Sequence, residues 1–184
     1  IKYKKKCIKN YNLPLLIVYT SGTTGKPKGA VLSQIAIYYN ILNSINMHKF
    51  NSKSHVLKVI PLFDVGGLNI QTVPALHKGA QVTIHKKFEI YETFKELKKG
   101  IHSHTVFVPT ILELLLNNKN WDTSVFSSLK AITTGSTIVS SDLIKAYEDK
   151  NIPIIQVYGS TETAPIAICQ KISNDWFPFG TIGK

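Results

Sequence analysis

Short β-rich segments alternate with segments of helical periodicity along the 184-residue chain. Strands are predicted at residues 15–19, 30–33, 56–60, 81–85, 105–108, 130–133 and 154–157. Helices are predicted from the N-cap Ser33 to about residue 47, at 68–76, at 91–99, from residue 110 onward and at 140–150. Strands that alternate with helices of about ten residues are typical of an α/β domain with a largely parallel sheet. We therefore expect one α/β domain with no internal repeat.

Three loops that follow apolar strands are unusually rich in glycine and hydroxyl side chains. Their sequences are TSGTTGKPKG at 20–29, TTGST at 133–137 and YGSTE at 158–162. The first loop follows the apolar run 13–18, which we expect to form a buried strand. In open α/β sheets, ligands bind beside the carboxyl ends of the strands. The three loops are therefore predicted to converge on one binding site.

The loop at 20–29 has the composition of a phosphate-binding loop. Its glycines let successive backbone N–H groups point at a polyanion, and its hydroxyl side chains add further donors. Lys26 and Lys28 contribute positive charge. The common P-loop is excluded, because only two residues separate Gly22 from Gly25 and Pro27 stands where that motif needs a hydroxyl. A phosphate cradle is predicted, with a simple flexible turn as the alternative.

The formal net charge of +11 raises the question of nucleic-acid or membrane binding. The chain contains no arginine, on which base recognition and phosphate binding rely heavily. The lysines are spread along the chain apart from a cluster at residues 2–6, so no nucleic-acid partner is expected. Cys7 and Cys169 lack metal-ligand spacing, and no apolar run approaches the ~20 residues that span a bilayer. We expect a cytoplasmic protein with no transmembrane segment.

His102 and His104 flank Ser103 and raise the question of a metal site. Such a site needs further ligands, and none lies nearby in the sequence. The two histidines are therefore expected to form a pair at the surface or at a strand edge.

Several motifs of the chain resemble those of the adenylate-forming (AMP-binding) superfamily, which includes acyl- and aryl-CoA synthetases, luciferases and the adenylation domains of peptide synthetases. TSGTTGKPKG is similar to the phosphate-binding signature of that superfamily. YGSTET at 158–163 resembles its Tyr-Gly-x-Thr-Glu block, and TTGST resembles its adenine-side loop. PLFDVGGL at 61–68 resembles the Pro-Leu-Phe-His-x-x-Gly segment of the acyl site, and FGTIGK at 179–184 resembles the start of a further block.

The resemblance extends over essentially the whole chain and implies its fold and domain organisation. The expected fold is the layered α/β/α/β/α sandwich of the acyl-CoA synthetase large domain, incomplete at both ends. Residues 1–184 would be a central fragment of this AMP-dependent synthetase/ligase domain. The small C-terminal domain, with the lysine that assists adenylation, would lie beyond residue 184, so the fragment alone is expected to be inactive.

The function that the resemblance implies is ATP-dependent activation of a carboxylic acid. The acid, for which we expect a fatty acid, would form an acyl-adenylate and then a thioester with coenzyme A, releasing pyrophosphate and AMP. ATP, Mg²⁺ and coenzyme A are the implied cofactor and co-substrates. Two alternatives stay open: an amino-acid-adenylating domain that feeds a carrier protein, and a nucleotide-binding module without catalysis.

The resemblance also assigns residues to roles. Those that would bind the ATP phosphates are Thr20, Ser21, Gly22, Thr23, Thr24, Gly25 and Lys28. Those that would surround the adenine are Gly135, Ser136, Thr137, Tyr158 and Gly159. Thr161, at the α-phosphate, and Glu162, which would bind Mg²⁺, are the implied catalytic residues. The acyl pocket would comprise Phe63, Asp64, Gly66, Gly67 and Pro109.

Asp64 departs from the pattern, because acyl-CoA synthetases of this kind usually carry histidine at the matching position. A carboxylate there would repel the carboxylate of the substrate unless it were protonated or paired with a cation. In amino-acid-activating domains an aspartate binds the amino group of the substrate, so Asp64 keeps that alternative open.

Overall fold

The computed structural model describes residues 10–21, 25–172 and 182. Their β-strands are β1 (Pro14–Thr20), β2 (Lys28–Ser33), β3 (His55–Lys58), β4 (Gln81–Ile84), β5 (His104–Val106), β6 (Ala131–Thr134), β7 (Ile154–Tyr158) and β8 (Ile168–Cys169). Their α-helices are α1 (Gln34–His48), α2 (Val65–Gly67), α3 (Val73–His77), α4 (Ile90–Leu97), α5 (Pro109–Leu116) and α6 (Ser141–Glu148). A π-helical turn spans Leu68–Thr72, and 3₁₀ turns span Thr123–Phe126 and Thr161–Thr163.

Six of these strands form one sheet in the order β4-β3-β5-β6-β7-β8. The pairs from β4 to β7 are parallel, and β8 runs antiparallel to β7 at the edge. Helices connect successive parallel strands, as parallel pairing requires. The structure therefore confirms the α/β class and the largely parallel sheet.

The first two strands lie outside this sheet and form an antiparallel pair. The prediction of a buried first strand was wrong: of its seven residues only Val18 is buried. Leu15, Ile17 and Tyr19 are exposed, and Val18 belongs to a small apolar cluster with residues of α1. A strand that packs through one face alternates between buried and exposed positions, whereas strands covered on both faces are apolar throughout.

The largest apolar cluster lies between the sheet and helices α4, α5 and α6. Tyr147 is fully buried there, and its hydroxyl donates a hydrogen bond of 2.7 Å to the carbonyl oxygen of Leu112. Smaller clusters on the α1 side include Met47 and Phe50. The sheet is therefore covered by helices on both faces, which holds the ends of its strands in fixed positions.

Helix α1 begins as predicted, because the side chain of Ser33 accepts a hydrogen bond from the amide of Ala36 at 3.3 Å. The predicted helix 68–76 begins earlier, at Val65, and includes the π-helical turn. Pro74 has no amide hydrogen to donate to the carbonyl of Ile70. That carbonyl instead accepts a hydrogen bond from the hydroxyl of Ser44 on α1.

The prediction that His102 and His104 lie at the surface or at a strand edge was wrong, since both are buried and His104 lies on a strand between two others. The ring of His104 donates a hydrogen bond of 3.0 Å to the backbone oxygen of His48. His48 is also buried, and its Nε2 lies 2.7 Å from the hydroxyl of Thr133. Burial lowers the pKa of His48 to about 3 and that of His102 and His104 to about 4. These histidines are neutral core residues held by hydrogen bonds.

Among the residues that the structure describes, no helix has the length and apolar character needed to cross a bilayer.

Candidate functional site

A cavity of about 270 Å³ lies beside the carboxyl ends of β5, β6 and β7. Its lining residues are Ile60, Asp64, Val65, Gly66, Ile70, Val106, Val108, Gly135, Ser136, Val157, Gly159, Ser160, Thr161 and Pro165. Two of the three loops singled out in the sequence, at 133–137 and at 158–162, therefore contribute to one cavity. The segment 64–66 from the predicted acyl site lines the same cavity.

The wall formed after β6 depends on a close backbone approach at Gly135. A Cβ atom at this position would lie 2.3 Å from the carbonyl oxygen of Val157 on β7. The next residue, Ser136, has a φ of 77°, a conformation that few residues other than glycine adopt. Only a residue without a side chain allows the loop to run this close to β7.

The wall formed after β7 is held by hydrogen bonds within its own turn. The Thr163 hydroxyl accepts a hydrogen bond of 2.9 Å from the Ser160 amide and lies 3.0 Å from the Pro165 carbonyl oxygen. The amide of Ile166 donates to the side-chain oxygen of Asn40 on α1 at 3.2 Å, which ties this segment to the helix. Ser160 and Thr161 are thereby kept at the cavity.

Glu162 follows directly on Thr161 and is exposed. A hydrogen bond from its own backbone amide, followed by one from the Ser160 side chain, lowers the pKa of Glu162 below its usual range. The carboxylate is therefore ionised at neutral pH and accessible to a ligand. Within the described ranges no group of three His, Cys, Asp or Glu side chains could hold a metal ion by itself.

The rest of the lining is largely apolar and includes one carboxylate, that of Asp64. Ile60, Val65 and Ile70 belong to it together with Val106 and Val108.

Asp64 precedes α2 and caps it, because its Oδ1 accepts a hydrogen bond of 2.9 Å from the amide of Gly66. Asp64 lines the cavity and is itself exposed. The cavity thus joins an apolar half to a half rich in hydroxyls and backbone donors.

Several residues predicted to contact ligands do not line this cavity. Phe63 is 85% exposed and Tyr158 is 58% exposed, and both lie outside the lining. Gly67 is buried behind the wall, where a Cβ would lie 1.8 Å from the carbonyl oxygen of Pro61. Thr137 and Pro109 each lie next to a lining residue without contributing to the lining themselves.

The loop predicted to bind phosphates begins and ends within the β1–β2 pair. Thr20 and Lys28 are register partners, and the Thr20 hydroxyl lies 3.4 Å from the carbonyl oxygen of Lys28. Gly25 has a φ of 77°, which suits a glycine. Residues 22–24 lie outside the described residues. Strand β2 contacts the turn that carries Glu162, so the base of this loop lies near the second glycine-rich wall.

Motif matching missed the apolar part of the lining, chiefly Ile60, Ile70, Val106 and Val157. Three of these residues lie at or just beyond the carboxyl end of a strand, and this position was a usable signal. Ile70 lies on the π-helical turn, which nothing in the sequence pattern indicated.

A cavity at the carboxyl ends of parallel strands, lined by glycine-rich loops, is the ligand-binding arrangement of open α/β proteins. The chain matches the family described as AMP-binding enzyme over residues 3–184. It belongs to that family.

Similar proteins and structures agree with this assignment. The chain is 47% identical over 171 residues to an indoleacetate–CoA ligase of Aromatoleum aromaticum, which covers 93% of the chain and 34% of the ligase. It is 31% identical over 150 residues to a feruloyl-CoA synthase of Amycolatopsis sp., covering 82% of the chain and 30% of that protein. The chain therefore spans about a third of the length of these relatives.

Two solved structures share the fold. The crystal structure of apo MatB from Rhodopseudomonas palustris superposes with a TM-score of 0.85 at 22% identity, over 95% of this chain and 34% of that one. The N-terminal domain of FACL13 from Mycobacterium tuberculosis gives a TM-score of 0.81 at 24% identity, over 93% of this chain and 43% of that one.

Proposed function

We propose that the protein containing this chain is a ligase that activates an aromatic carboxylic acid with ATP and transfers the acyl group to coenzyme A. The observation that carries the proposal is the composition of the cavity. One half is apolar and suits the body of an organic acid, whereas the other half consists of loops with backbone and hydroxyl donors that suit a nucleotide. An acyl-adenylate has these same two parts joined by one bond.

An aromatic acid is favoured over the fatty acid suggested by the motifs. The relatives from Aromatoleum aromaticum and Amycolatopsis are named for indoleacetate and for feruloyl-CoA, which both contain an aromatic ring. The apolar wall of Ile60, Val65, Ile70, Val106 and Val108 offers the aliphatic surface against which a flat ring packs.

In the first step, a carboxylate oxygen of the acid attacks the α-phosphorus of ATP. The bond from that phosphorus to the bridging oxygen breaks, and pyrophosphate leaves. In the second step the thiol of coenzyme A loses its proton and attacks the acyl carbon, and AMP leaves.

Thr161, at the cavity, is proposed to donate its hydroxyl to the α-phosphate, where negative charge increases during the first step. Lys28 and the donors of Thr20, Ser21 and residues 22–25 are proposed to hold the outer phosphates. Gly135, Ser136 and Gly159 are proposed to line the adenine, together with Thr137 and Tyr158, which lie next to lining residues.

Glu162 fits a Mg²⁺ ligand, because Mg²⁺ is commonly held by one or two carboxylates together with substrate phosphates and water. The carboxylate is exposed, ionised and adjacent to Thr161, so a phosphate-bound cation can reach it. When bound, Mg²⁺ would neutralise phosphate charge during the displacement.

The test compares three acids with the full-length protein: indole-3-acetate, decanoate and tryptophan. Indole-3-acetate and tryptophan share the ring and the carboxylate, whereas only tryptophan carries an ammonium group. We expect indole-3-acetate to drive exchange of pyrophosphate into ATP and to yield a CoA thioester. If only tryptophan or another amino acid drove exchange of pyrophosphate into ATP, the protein would be an amino-acid-adenylating domain. ATP binding without exchange for any acid would establish a non-catalytic module.

A further inference from the structure

Lys58 is a buried cation that has no role in the proposed reaction steps. It is the last residue of β3, and only 1% of its surface is exposed. Its Nζ has no hydrogen-bond partner within the part of the chain that the structure describes. A buried ammonium group without such a partner is costly, so its presence calls for a compensating role.

The ammonium group of Lys58 lies beneath the acyl side of the cavity. Its Nζ is 3.0 Å from the position that a Cβ would occupy at Gly67. The neighbouring residues Val65 and Gly66 line the cavity together with Asp64. Lys58 therefore packs behind the same short turn that presents Asp64 to the ligand.

The charges of Lys58 and Asp64 act on each other. Burial lowers the pKa of Lys58 to about 8, and the negative charge of Asp64 raises it against that effect. The ammonium form therefore predominates at neutral pH. Asp64 forms no salt bridge with any residue that the structure describes, and Lys58 acts on it across the turn.

Asp64 presents a problem for a carboxylate substrate. Its negative charge lines the cavity in which the substrate carboxylate must bind, and two like charges a few ångströms apart repel each other. The positive charge of Lys58, behind the turn at Gly67, offsets that repulsion without occupying space in the cavity.

We propose that Lys58 is a specificity-determining residue that offsets the charge of Asp64 and so allows the cavity to accept an organic carboxylate. This inference rests on the proposed function, because it concerns how the acyl site admits its substrate. Lys58 acts through its electrostatic effect on the acyl side of the cavity and does not contact the reacting atoms.

The test is a double-mutant cycle in the full-length protein with Lys58→Met, Asp64→Asn and the two combined. Methionine has a similar length to lysine and fills the same apolar space without the charge. We expect Lys58→Met to raise the KM for indole-3-acetate about tenfold while the KM for ATP changes less than twofold. Asp64→Asn should lower the KM for indole-3-acetate severalfold. The KM of the double variant for the same acid should lie within about threefold of the wild-type value.

A purely structural role for Lys58 predicts a different pattern. The double variant would then be as impaired as Lys58→Met, and the KM values for acid and ATP would change together. Either result would overturn the proposal, as would an unchanged carboxylate KM in Lys58→Met. Lys78→Met, which removes an exposed lysine, is the matched control and should leave both KM values unchanged.

Thermal melting separates a folding defect from the proposed effect. The ammonium group of Lys58 has no hydrogen-bond partner among the described residues, so its removal leaves no buried partner group unpaired. We therefore expect the melting temperature of Lys58→Met to be no lower than that of the wild type. If Lys58→Met does not fold, Asp64→Asn alone tests the proposal. An unchanged or raised KM for indole-3-acetate in that variant contradicts it. Failure of the proposed function is distinct, because the wild-type protein would then activate no aromatic acid.

Discussion

Replacement of Gly159 by alanine is expected to displace the wall of the cavity that follows β7. A Cβ at this position would lie 1.5 Å from the carbonyl oxygen of Pro165 and 2.9 Å from the hydroxyl of Thr163. An ordinary contact begins near 3.4 Å, so the two segments must separate by about 1.9 Å. The Pro165 segment is held by Thr163 and by the bond from Ile166 to Asn40, and the loop that carries Gly159 must therefore move.

A shift of this size is large compared with what a binding site tolerates. Misplacement of a binding or catalytic group by about 1 Å can lower activity by up to 100-fold. Overpacking of a well-packed region lowers the free energy of unfolding by about 1–3 kcal/mol. We expect Gly159→Ala to raise the Kd for AMP about 100-fold in the full-length protein, measured by isothermal titration calorimetry. A melting curve recorded on the same sample establishes that the variant is folded.

The matched control is Gly66→Ala, which adds the same methyl group to another wall of the same cavity. Its Cβ would meet nothing closer than 3.7 Å, so nothing has to move. We expect its Kd for AMP to change less than threefold. The reasoning is refuted if folded Gly159→Ala binds AMP as tightly as the wild type, or if both variants lose affinity equally.

Two further predictions concern charge. Glu162→Gln should raise the Mg²⁺ concentration needed for half-maximal pyrophosphate exchange, because an amide is a weaker ligand for a hard cation than a carboxylate; an unchanged Mg²⁺ dependence would show that this side chain does not bind the metal. Acid should destabilise the fold between pH 6.5 and pH 4, because His48, His102 and His104 have folded pKa values of about 3 to 4 and the unfolded chain takes up protons first, near pH 6.5. The expected loss from pH 7 to pH 5 is roughly 2 kcal/mol per histidine, and urea unfolding that gives the same free energy at pH 7 and pH 5 would contradict it.

Local patterns predicted most of the secondary structure. The helix after Ser33 and the parallel strands appear where apolar periodicity and capping residues placed them, because those signals act within a few residues of the chain. The short helix at Val65 and the π-helical turn after it were not predicted. They depend on Asp64 capping Gly66 and on Ser44 binding the Ile70 carbonyl, and the second contact joins residues far apart in sequence.

Prediction of the candidate site was partial for the same reason. The glycine-rich loops were identified because glycine and hydroxyl residues at strand ends are a local signal, and two of these loops do meet at the cavity. Phe63 and Tyr158 were expected at the ligand and lie outside the lining, since the direction of a side chain follows from the packing around it. The apolar wall comes from segments whose sequences resemble any buried strand end.

The sequence by itself determined the α/β class, the family and the loops that carry polar chemistry, because each of these is recorded in short stretches of residues. Only the tertiary structure decided what surrounds each side chain. It exposed one face of β1, buried His104 between neighbouring strands and brought Lys58 beneath the turn that presents Asp64. Burial and charge environment depend on which distant segments pack together, and the pairing order of the strands sets that packing.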